Sequence, residues 1–146
     1  MPIINAFPEV GGGSGNFGTS KILVETATRE QRYSTSSSAT VTNIGFVDCT
    51  TENKIILYGS YSNSTIANQS VVFYAIKDCD ATIKYGSSAS TGTTLSTVSL
   101  VAGHKYTAKR YAPSSSNGRY FKMTDDTTST DVVNQMSSSN YWSINV

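Results

Sequence analysis

A single histidine, His104, follows Gly103 in this chain, and that alone narrows the chemistry open to it. One imidazole cannot build a multi-histidine metal centre. A Ser-His-Asp triad would depend on this one residue, and no Gly-x-Ser-x-Gly elbow accompanies it. His104 therefore reads as a turn or strand-start residue. Carboxylates are few: Asp78 and Asp80 flank Cys79, and Asp125, Asp126 and Asp131 share one polar segment. A glycosidase needs two carboxyl groups opposed across a cleft, which spacing along a chain does not supply. The Asp125–Asp131 segment offers hard oxygen ligands of the kind calcium takes, but it lacks the ordered spacing of a calcium loop and reads as a polar connection. Gly11-Gly12-Gly13-Ser14-Gly15 is not followed by Gly-Lys-Ser or Gly-Lys-Thr, so it is a tether and not a phosphate cradle. No catalytic residue, metal ligand or cofactor is assigned, and the chain reads as non-enzymatic.

One constellation has binding chemistry. Tyr111, Tyr120, Tyr141 and Trp142 carry flat apolar faces with polar tips and could form a platform for sugar rings. With nine tyrosines in the chain, mixed core and sheet-surface packing is the better account of them.

Charge excludes other partners. Only 14% of residues are charged, the formal net charge is +1 and the pI is near 7.7, which leaves no electrostatic footprint for nucleic acid or an anionic membrane. Lys105, Lys109 and Arg110 read as the solvated face of a sheet. No stretch approaches the roughly 20 apolar residues of a membrane helix, so membrane insertion is not expected. The opening residues have neither a cationic start nor a small-residue cleavage site, and no secretion signal is expected. Cys49 and Cys79 could pair, but outside a secretory context two free, buried thiols are the commoner outcome. The sequons at Asn63 and Asn68 carry weight only in a glycosylating pathway.

The elements that must position any site are strands. More than a quarter of the residues are Ser or Thr, tyrosine is abundant, and helical runs of Leu, Glu, Lys and Ala are missing. Strands are expected at residues 21–26, 39–47, 54–61, 70–76, 79–85, 95–100, 105–111, 119–123 and 141–146, while residues 29–38 show no clear period. The clearest alternation puts Cys79, Ala81, Ile83 and Tyr85 on one face and Asp80, Thr82 and Lys84 on the other. Ala102-Gly103 signals a turn, and Asn117-Gly118 signals a hairpin between the strands ending at Tyr111 and starting at Arg119. Trp142, Ile144 and Val146 should be buried together. Roughly seven to nine short strands separated by turns imply an all-β fold, a two-sheet antiparallel β-sandwich of immunoglobulin-like type spanning residues 21–146.

Residues 1–20 stand apart. The apolar peptide Pro2-Ile3-Ile4-Asn5-Ala6-Phe7-Pro8-Glu9-Val10 precedes a run containing Gly11, Gly12, Gly13, Gly15 and Gly18, whose flexible reach is about 16 Å. Ile3, Ile4, Phe7 and Val10 are candidate contacts with a partner: an extended arm that anchors, on a tether that gives it reach.

The segment from Ala81 through Tyr111, centred on Leu100-Val101-Ala102-Gly103-His104-Lys105-Tyr106, resembles small immunoglobulin-like and PEGA-type β modules. The whole layout, an apolar N-terminal peptide, a Gly-rich tether and a compact Ser/Thr-rich β domain, resembles accessory proteins of tailed-phage virions, the head fibres and capsid decoration proteins. The resemblance implies a structural protein assembled in the host cytoplasm and located in the virion. It implies attachment to a capsid, collar or tail protein through the arm, and assembly as a homo-oligomer. The alternatives are a carbohydrate-binding or adhesive sandwich recognising a cell-surface glycan and, third, a small hydrolase.

Overall fold

The computed structural model describes residues 20–33, 47–51, 53–58, 65–86, 92–111, 120–137, 139 and 141–146. They form ten strands and no helix: β1 (Ile22–Tyr33), β2 (Val47–Thr51), β3 (Lys54–Tyr58), β4 (Thr65–Ala75), β5 (Cys79–Gly86), β6 (Thr93–Leu100), β7 (Lys105–Tyr111), β8 (Tyr120–Asp125), β9 (Thr130–Met136) and β10 (Tyr141–Asn145). Two five-stranded sheets result, ordered β1-β4-β7-β8-β9 and β2-β3-β10-β5-β6, with every pairing antiparallel. This is the β-sandwich that the alternating segments imply.

Alternation explains the core. In β7 the buried residues are Tyr106, Ala108 and Arg110, and in β8 they are Phe121, Met123 and Asp125, with half-buried or exposed residues between them. Of these, Tyr106, Ala108, Phe121 and Met123 share one core with Ile55 and Leu57 of β3, Ala81 and Ile83 of β5, Val98 and Leu100 of β6, and Trp142 and Ile144 of β10. The rings of Phe73 and Tyr106 stack at 5.6 Å, and those of Phe121 and Trp142 at 6.5 Å. Val146 packs at the margin of this core, so the expected grouping of Trp142, Ile144 and Val146 is found with Val146 only half-buried.

Three departures from the sequence reading have simple physical causes. β1 runs on to Tyr33, through residues without apolar period, because the backbone of β4 supplies it with a partner from Ile22↔Ala75 to Tyr33↔Thr65. β9 has no counterpart in the sequence reading: it is an edge strand with only Val133 buried, so it carries almost none of the apolar signal by which strands are read. Arg110 is not on a solvated face; it is fully buried, with its guanidinium carbon 5.8 Å from the centre of the Trp142 ring, and burial draws its pKa down to about 10.

The cysteines do not form a bridge. Cys79 is a free thiol, and β2, which carries Cys49, is separated from β5 by β3 and β10, three strand spacings or about 14 Å, well beyond disulfide reach. The arm residues Ile3, Ile4, Phe7 and Val10, the tether glycines Gly11, Gly12, Gly13, Gly15 and Gly18, most of the expected strand at 39–47 and the Asn117-Gly118 turn lie outside the described residues.

Trp142 is fully buried between the sheets. Trp142→Ala is expected to destabilise the fold by about 3–5 kcal/mol through lost burial and the cavity left behind, measured as a lowered urea midpoint with an unchanged slope.

Candidate functional site: the outer face of β7 and β8

Because alternate residues of a strand face opposite ways, the same pattern that buries Tyr106, Ala108 and Arg110 turns Lys105, Thr107, Lys109 and Tyr111 outward. On β8 it turns out Tyr120, Lys122 and Thr124. Register then sets these two series side by side: Thr107 opposite Thr124, Lys109 opposite Lys122, and Tyr111 opposite Tyr120. The result is a grid of paired hydroxyls, paired ammonium groups and paired phenol rings on two interior strands of the sheet.

At one end, the Tyr111 and Tyr120 rings lie 4.9 Å apart and tilted by 31°. In the middle, two lysines directly opposite each other should repel. Each has a local counterweight. Lys109 Nζ sits 5.9 Å from the centre of the Tyr111 ring, and Lys122 Nζ lies 3.4 Å from a carboxylate oxygen of Asp131. At the other end, Thr107 Oγ1 donates to Asp126 and Thr124 Oγ1 donates to Asp131 at 3.0 Å. Thr107, Lys109, Tyr111, Lys122, Thr124 and Asp126 line an open groove of about 140 Å³.

Of the aromatic platform expected from sequence, the structure brings together only Tyr111 and Tyr120. Tyr141 begins β10 in the other sheet, paired with Tyr58 and Gly86, and Trp142 is buried in the core. Neither can share a surface with the first two, so a four-residue platform is ruled out. Lys109, Lys122, Thr107 and Thr124 did not figure among the sequence candidates. Their signal was present, since both segments alternate, but only the cross-strand register makes them neighbours.

The turns at one edge of this grid are built as structure. Val101 to His104 forms a turn closed by a 3.0 Å bond from the His104 N–H to the Val101 carbonyl, with Gly103 at φ 85° as the turn signal at Ala102-Gly103 anticipates. His104 Nδ1 lies 2.8 Å from Asp125 Oδ2. The other Asp125 oxygen accepts from the backbone N–H groups of Thr127 and Thr128, at 3.0 and 3.3 Å. His104 thus clips the β6–β7 turn to the β8–β9 turn. The three carboxylates of the Asp125–Asp131 segment point to different partners: Asp125 to His104, Asp126 to Thr107, and Asp131 to Thr124 and Lys122. Among the described residues, no group of three or more His, Cys, Asp or Glu side chains is placed to hold a metal ion.

Below the grid, Tyr74 Oη donates to Glu25 at 3.2 Å, and Lys105 Nζ lies 3.4 Å from the same carboxylate. Burial pulls the Lys105 pKa down, but Tyr74 and Glu25 outweigh it and the net shift is upward. Next to the β6–β7 turn, whose Ala102 N–H donates to Asp78 at 2.8 Å, the residues Asp78, Cys79 and Asp80 line a shallow depression with Ser99, Leu100 and Val101. There burial raises the Cys79 pKa, the reverse of what a reactive thiolate needs.

No known family model, characterised protein or solved structure matches this chain.

Asp125→Ala removes one acceptor from two backbone donors and from His104 at once, and is expected to cost about 1–3 kcal/mol of stability; His104→Ala, which removes one of these bonds, is expected to cost about 0.5–1.5 kcal/mol. Urea unfolding of both variants checks the order, and an equal or reversed order would contradict the clip.

Proposed function

We propose that this chain is a non-enzymatic attachment module, an accessory or decoration protein of a phage virion that is anchored by its N-terminal arm. The observation that supports this reading is the layout of the sequence, in which the apolar residues Ile3, Ile4, Phe7 and Val10 precede a glycine-rich spacer and a β-sandwich follows it.

Each of those side chains is worth roughly 1.5–3 kcal/mol when fully buried, enough together for firm docking after the ordering cost of a flexible peptide. Pro2 and Pro8 restrict the free segment and cannot donate ladder hydrogen bonds, which favours an extended peptide in a groove or along a sheet edge of a capsid, collar or tail protein. A symmetric homo-oligomer of sandwiches presents several arms to one particle, and each bound arm raises the effective concentration of the others. The low charge suits this role better than nucleic-acid or membrane binding.

The test is co-sedimentation with purified parent virions, comparing the full chain, a chain starting at Thr19, and Phe7→Asp. Loss of one anchor of roughly 1.5–3 kcal/mol is expected to weaken association about tenfold to a hundredfold in Phe7→Asp, and the shortened chain should not associate at all. Equal association by all three would overturn the reading.

A further inference from the structure

The outer face of β7 and β8 has a use that the arm does not require. We infer that this grid is a binding site for a short, uncharged oligosaccharide, with Tyr111 and Tyr120 as the stacking surface and Thr107, Lys109, Lys122, Thr124 and Asp126 as its hydrogen-bonding bed.

Sugar rings present apolar C–H faces and equatorial hydroxyls, so a site for them needs flat apolar surface beside closely spaced donors and acceptors. The half-buried Tyr111 and Tyr120 rings, 4.9 Å apart, supply the first. The groove beside them supplies the second, because ammonium groups only donate, carboxylates only accept, and threonine hydroxyls do both. Residues two apart on a strand are about 6.8 Å apart, so the distance from the tyrosine pair to the threonine pair is about 13–14 Å, room for more than one ring.

Charge selects the ligand class. Lys109 and Lys122 are balanced by Asp126, which lines the groove, and Asp131, which holds Lys122. The site has both signs and no excess of either, so its field does not favour a carboxylated, sulfated or phosphorylated ligand. A polyhydroxylated neutral ligand uses both signs, since each hydroxyl can donate to Asp126 and accept from a lysine.

The side chains are also held before any ligand arrives. Thr107 is bonded to Asp126, Thr124 to Asp131, Lys122 to Asp131, and Lys109 lies over the Tyr111 ring. The strands beneath are pinned by Tyr106, Ala108, Phe121 and Met123 in the core. Less rotamer freedom is therefore lost on binding than at an ordinary surface.

The full chain is applied to a glycan array bearing neutral hexose and N-acetylhexosamine oligomers beside sialylated and sulfated ones. Any neutral oligomer retained is then titrated while amide shifts are followed by ¹H–¹⁵N spectroscopy. Binding to neutral oligomers is expected, with the largest shifts in β7 and β8. Tyr120→Ala and Lys122→Met are each expected to weaken binding at least tenfold while keeping cooperative unfolding, and the chain starting at Thr19 should bind as the full chain does. The last comparison separates this site from the arm. No retention of any neutral oligomer, retention of acidic glycans only, shifts confined to other strands, or undiminished binding by both folded variants would each overturn the inference.

Discussion

The structure depends on where β10 is inserted. It occupies the centre of its sheet, with β3 on one side and β5 on the other, so that Trp142 is set between Leu57 and Tyr85 in the ladder and Ile144 between Ile55 and Ile83. Without it, the β2–β3 and β5–β6 hairpins would have no common edge. From this position Trp142 reaches across the layer to stack on Phe121, and Arg110 lies against its ring. One strand therefore completes one sheet and locks it to the other, and its partners are far away in sequence. Such non-local pairing incurs a loop-closure cost before its contacts form, and folding is expected to be cooperative and comparatively slow.

The outer face follows from this inner one. Tyr106, Ala108 and Arg110 fix the phase of β7, and Phe121 and Met123 fix that of β8. Since a one-residue slip would turn every side chain over, the core that clamps these strands also determines which residues face outward and which stand opposite one another. The turns at Gly103 and Asp125, joined by His104, hold one end of both strands. In the proposed reading, recognition by this face and attachment by residues 1–20 are tasks of different parts of one chain.

The sequence made the architecture legible wherever apolar residues alternate. The β5 segment from Cys79 to Tyr85, the turn at Gly103, the pairing of the β7 strand with the β8 strand and the burial of Trp142 were all readable from types and spacing. Strands whose pairing is supplied by a neighbour were not: the far half of β1 and the edge strand β9 have backbone partners but little hydrophobic pattern. Arg110 shows a second kind of blindness, because a charged residue is assigned to solvent by composition, whereas its neighbours Ala108 and Lys109 already set its phase inward. For the site, Tyr111 and Tyr120 were visible and Trp142 was misplaced among them. Lys109 with Lys122 and Thr107 with Thr124 depend on cross-strand register, a property of two segments together that neither contains alone.

Native-state amide hydrogen exchange tests the role of β10 most directly, since it reads the stability of each strand in the intact chain. The amides of β10 and of the flanking β3 and β5 should exchange most slowly, at the rate of global unfolding, with β7 and β8 close behind and the edge strands β1, β2, β6 and β9 faster. Exchange of the Trp142 and Ile144 amides as fast as those of the edge strands would contradict the account.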